Sequence, residues 1–160
     1  MTKTDFDREM RTIFKELGFL VKNRHFYKDV TDDIMIVFGL QSTVYGGGYS
    51  YLNYGYCFKS INKHMPYPKY GCFNIDCRRI GPNEISDVFV YDELDTFDFE
   101  GFSLILKKVV FDMESIALKG TDELAKTVID SNRRWLICGS DTATYLCRPW
   151  DDFIGHRIGC

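Results

Sequence analysis

No apolar run in the sequence approaches the ~20 residues that a membrane-spanning helix needs, so no helical span is expected. Histidine is scarce, with only His25, His64 and His156, and the six cysteines, Cys57, Cys72, Cys77, Cys138, Cys147 and Cys160, contain no CxxC pair. A zinc site asks for about four convergent ligands, so no metal centre is expected. The N-terminal MTKTDFDREM lacks the basic and then apolar blocks of a secretory signal. The expectation is therefore a cytoplasmic chain whose cysteines are reduced thiols, mostly small buried apolar groups. Positive charge is not in excess either: the net charge is −3 and the pI about 5.6. Such a chain has little to set against phosphates, and a nucleic-acid face built on Lys63, His64, Lys69, Arg78 and Arg79 ranks last among the readings.

Catalytic signatures are missing as well. Ser140-Asp141 lacks the GxSxG elbow, HExxH does not occur, and no His adjoins a Cys in a recognisable setting. The run Gly46, Gly47, Gly48 lacks the GxxxxGK[ST] spacing and precedes no helix, so no helix dipole would face a phosphate. The carboxylates Asp92, Glu93, Asp95, Asp98 and Glu100 miss the calcium-loop pattern and read as a solvated connector. No cofactor is expected.

What the chain does have is the composition of a globular domain: 160 residues, 45% hydrophobic and 27% charged. Residues 1–160 are expected to form one α+β domain. Phe6, Met10, Ile13, Phe14 and Leu17 recur at helical period, which predicts a helix over residues 5–17 with Thr4 as N-cap and Gly18 as terminator. Residues 19–29 predict a charged edge strand or a short hairpin broken near Asn23. From Asp33 to Phe58, two apolar and aromatic runs flank the triple glycine, a hairpin pattern. Setting Gly39 opposite Gly55 places Gln41 opposite Asn53. Residues 60–71 read as a loop, 72–80 as a strand with Arg79 at the end of its apolar face, and 87–91 as a further short strand.

Two helices are predicted next, over about 101–119 and 122–132. The first carries the stripe Phe102, Ile105, Leu106, Val109, Met113, Ile116 and Ala117. Leu104, Val110, Phe111 and Leu118 on its other sides predict burial on more than one side. Two short strands are read around Gly139-Ser140-Asp141, in a tail whose fold over residues 135–160 stays open. The whole is an α+β fold: an N-terminal helix, an antiparallel sheet of four to six strands, and C-terminal helices packed on one face.

The sequential motifs Gly18-Phe19, Phe26-Tyr27, Gln41-Ser42, Asn53 with Gly55, and Arg79 resemble the bacterial family catalogued as domain of unknown function 4304, over roughly residues 5–130. The resemblance implies an α+β fold and carries no activity.

Gln41, Ser42, Asn53 and Arg79 are the sharpest binding candidates, as amides, a hydroxyl and a guanidinium at one end of the sheet could hold an anion or a peptide. The competing reading spends them on internal hydrogen bonds, with Arg79 paired to Glu84 or Asp76. Tyr45 and Tyr51 join the candidates, since tyrosine buries area while keeping a polar tip. Strand alternation sends Tyr49 and Tyr51 to one face and Tyr54 and Tyr56 to the other. The favoured expectation is a non-enzymatic protein-binding domain, in the form of an immunity-type inhibitor whose acidity complements a basic toxin or nuclease. The alternative is a small-ligand binder or enzyme using the polar patch.

Overall fold

The computed structural model describes residues 1–42, 48–69, 74–83, 86–130 and 136–137, with the side chains of 75–77, 128–130 and 136–137 left aside. The first helix, α1 (Lys3–Glu16), buries Phe6, Met10, Ile13 and Phe14, four of the five residues of the predicted stripe. Its N-cap is Thr2 rather than Thr4, and the Thr2 hydroxyl accepts from the Asp5 backbone N–H at 3.2 Å. At the other end Gly18, at φ +82°, donates to the Lys15 carbonyl while the Phe19 N–H reaches back to the Phe14 carbonyl. This double closure requires a left-handed residue at Gly18, and it brings the Phe19 ring edge-on to Phe14 at 5.2 Å.

The chain then enters strands β1 (Leu20–Lys22) and β2 (His25–Asp29), turning at Asn23, whose φ of 56° an asparagine tolerates better than most residues. The long hairpin β3 (Ile34–Ser42) and β4 (Tyr49–Phe58) follows, then β5 (Ile75–Ile80) and β6 (Val88–Val90). A 3-10 helix (Tyr91–Thr96), α2 (Phe99–Leu118), α3 (Thr121–Asp130) and the two-residue β7 (Leu136–Ile137) complete the described elements. Every pairing is antiparallel along the order β1-β2-β3-β4-β5-β7, with β6 beside the start of β4 on the edge whose remainder holds β5. This is the α+β architecture expected. The rest of the predicted tail hairpin lies outside the described residues.

Strand alternation divides the sheet into two faces. On one, Ile34, Ile36, Phe38 and Leu40 of β3 and Leu52, Tyr54, Tyr56 and Phe58 of β4 join the helices in the main core. Phe14 stacks on Phe26 at 3.9 Å there, and the Tyr56 hydroxyl donates to the Met113 carbonyl at 3.0 Å, fastening β4 to α2. On the second face Tyr27, Met35, Val37 and Cys57 form a smaller buried cluster.

Two details of register differ from expectation. Gly39 lies opposite Asn53, and Val37 opposite Gly55. The hairpin is thus offset by two residues, a slip that keeps every side chain on its expected face. In β5, Tyr54 faces Arg78 while Gly55 faces Asp76, leaving Cys77 as the extra residue of a bulge. The bulge reverses the alternation, so Arg79 sits beside Asn53 on the second face instead of ending an apolar one. The acidic connector is also more ordered than expected: Tyr91 and Leu94 are buried from the 3-10 helix, and Asp98 caps α2 through Gly101.

Candidate functional site

Three of the sequence candidates meet on the second face as one bonded chain. Asn53 Nδ2 donates to Gln41 Oε1 at 3.3 Å, and Arg79 Nε donates to Asn53 Oδ1 at 3.1 Å. Arg79 Nη1 lies 3.6 Å from Asp87, and the guanidinium carbon is 4.2 Å from the centre of the Tyr51 ring. The expected acidic partners were Glu84 or Asp76; the structure supplies Asp87. Asn53 is 2% exposed, so its amide needs these partners, because an unsatisfied buried amide costs about 1–3 kcal/mol. The Arg79 side chain stays 38% exposed. The amides are spent on neighbours. What the arrangement can do is fix one guanidinium flat against one tyrosine at the sheet surface.

Ser42 is not part of this group. It points to the helix face, where Arg24 Nη1 donates to its hydroxyl. Tyr45 lies outside the described residues. The Arg24 network was missed at the sequence level, where Arg24 read as an edge-strand charge. Its Nε donates to Asp7 at 3.1 Å, and its Nη2 lies 2.9 Å from Asp7 and 2.7 Å from the Ser50 hydroxyl. Ser50 in turn shares a hydrogen bond with the Tyr91 hydroxyl. The network joins α1, the β1–β2 turn, both strands of the long hairpin and the 3-10 helix. One signal was present: Ser42 and Ser50 interrupt the apolar positions of the core-facing register, and hydroxyls placed there demand a polar partner.

Among the described residues, no group of three or more His, Cys, Asp or Glu is placed to hold a metal ion, and no helix is long and apolar enough to cross a membrane. His25 stacks near Tyr27 at 6.3 Å. Burial, with help from Lys69 and Arg24, lowers its pKa below the ordinary 6.5.

The larger surprise is α2. It buries Phe102, Leu106, Val110, Met113 and Ala117, so of the residues expected on other sides only Val110 turns inward. Leu104, Phe111 and Leu118 are 66%, 66% and 67% exposed. They follow one another at heptad spacing and form a single outward stripe with Lys108 and Ser115 between them. The expectation that α2 is buried on more than one side is therefore corrected.

Fold and surface together define an α+β domain with a helix-covered antiparallel sheet and an apolar ridge on its longest helix. Comparison with protein-family models, with curated proteins and with solved structures finds no match to this chain.

Proposed function

We propose that this is a non-enzymatic protein-binding domain, with the outward side of α2 as its docking face. The observation that carries the reading is the exposure of Leu104, Phe111 and Leu118 in one stripe. Large apolar side chains aligned on an exposed helix mark an interaction surface more strongly than scattered ones. Burying each contributes about 1.5–3 kcal/mol, before the entropy of association is subtracted.

The flanking charges favour a second copy of this chain as the occupant. An antiparallel copy centred on Phe111 sets Leu104 against the second copy's Leu118, and Lys108 close to the second copy's Asp112, on both sides of the two-fold axis. A basic toxin or nuclease, the immunity-type partner that the net charge of −3 favours, is the other outcome. Kinship with the domain of unknown function 4304 family and a cytoplasmic setting belong to the same proposal.

Sedimentation equilibrium over a wide concentration range tests it. The expected result is a monomer–dimer equilibrium that Phe111→Glu abolishes, while at concentrations where the wild type is monomeric the two melting temperatures agree. A wild-type chain that stays monomeric at every concentration would remove the second copy as partner. If light scattering then shows no complex with basic nucleases either, the docking face itself is refuted.

A further inference from the structure

A second site stands apart from the α2 stripe and rests on different residues. Between the small cluster of the second sheet face and the segment after β4 lies a cleft of about 620 Å³, inside the range of about 300–1,000 Å³ typical of small-ligand sites. Its floor is Tyr27, Met35 and Cys57, all buried. Its opposite wall is Met65, Pro66 and Tyr67. The wall is tied to the floor: the Tyr27 hydroxyl donates to the Pro68 carbonyl at 3.1 Å, and the Tyr27 and Tyr67 rings meet edge-on at 5.3 Å. Lys22 Nζ sits 3.3 Å from the Tyr67 ring centre and braces it from outside.

The lining changes character at the edge, where Lys28, Lys59 and Lys63 stand beside one acid of the lining, Asp29. Lys28 is held by Glu114 at 2.7 Å and Lys59 by Asp29 at 2.9 Å. Lys63 is exposed and has no ion-pair partner among the described residues. In a chain of net charge −3, this leaves one uncompensated positive charge, Lys63, beside an apolar hollow. A neutral ligand would leave Lys63 unused, and a small inorganic anion would leave the hollow unfilled.

We propose that the cleft binds an amphipathic anion, with an alkyl or aryl body against Tyr27, Met35 and Met65 and a carboxylate or comparable head group at Lys59 and Lys63. A long lysine side chain can follow the head group while its stem packs on the body. Binding needs no covalent step, and the buried Cys57 thiol acts here as an apolar floor.

The test uses the full chain labelled at its methionine methyl groups, titrated with decanoate and followed by NMR, with Met35→Leu and Met65→Leu assigning the signals. The five methionines report from different places, since Met35 and Met65 line the cleft while Met10 and Met113 lie in the main core. The expected result is saturable movement of the Met35 and Met65 signals alone. Decanol should bind about tenfold more weakly, and Lys63→Glu, at an exposed position, should weaken decanoate about five- to tenfold. Phe111→Glu should leave the titration unchanged, which separates this site from the docking face. No movement of Met35 and Met65, or equal affinity for decanoate and decanol, overturns the proposal. So does binding that Phe111→Glu removes and Lys63→Glu leaves intact.

Discussion

The Arg79 guanidinium lies over the Tyr51 ring at 4.2 Å while its Nε is committed to Asn53 Oδ1 at 3.1 Å. One side chain thus joins a surface aromatic to a buried amide. Asn53→Ala should cost about 1–3 kcal/mol, because Gln41 and Arg79 each lose a partner. In a double-mutant cycle with Arg79→Ala, urea unfolding should return a coupling of about 0.5–3 kcal/mol. Strict additivity would mean the bond contributes nothing.

Arg24 and Asp7 provide a second test. Both side chains are mostly buried, at 18% and 15% exposure, so removing one leaves the other's charge uncompensated. Arg24→Met should destabilise by about 3 kcal/mol, measured by denaturant unfolding. Adding Asp7→Leu to Arg24→Met should recover part of that loss, since no stranded carboxylate remains.

His25 sets a pH dependence. Its folded pKa lies below the ordinary 6.5, chiefly through burial, so the unfolded chain binds the proton more readily. The His25 contribution is complete above about pH 6.5 and is lost as pH falls from there towards the depressed folded value. Wild-type stability should decline between about pH 7 and pH 5.5 more steeply than that of His25→Gln. Parallel slopes in urea titrations of the two proteins would contradict the assignment.

Gly18 tests the α1 terminus. At φ +82°, a Cβ added there would meet only the Lys28 side chain at 3.9 Å, so the cost of a substitution is conformational and not steric. Gly18→Ala should lower stability by about 1 kcal/mol, with Gly18→Asn losing less because asparagine tolerates the left-handed region. Equal thermal shifts for the two variants would count against this account.

Much of the fold was legible because it rests on local periodicity. The stripe of Phe6, Met10, Ile13 and Phe14 fixes the buried side of α1 without reference to the rest of the chain. The triple glycine between two aromatic runs marks the hairpin, and a register offset by two still puts Gln41, Asn53 and Tyr51 on one face. The bulge at Cys77 was not legible, since one extra residue reverses alternation without changing composition. Nor was the Arg24 network, whose members lie far apart in the chain and meet only when the strands and helices assemble. The exposed residues of α2 were misread for a related reason. Hydrophobicity shows which residues gain from leaving water, and only the tertiary structure shows which have a surface to leave it for.

The position of Phe6 has a consequence for synthesis. Its ring packs against Phe89 at 5.2 Å, Tyr91 at 5.7 Å and Phe99 at 6.3 Å, so these partners of the start of the first helix are made long after it, although Phe14 finds Phe19 and Phe26 early. At translation rates of about 5–20 residues per second, that wait lasts roughly 4–20 s. During this interval the nascent chain can close the β3–β4 hairpin, whose formation takes only microseconds. The Phe6 end of the α1 stripe has no completed core to cover it. It is the segment on which a chaperone at the ribosome exit would act.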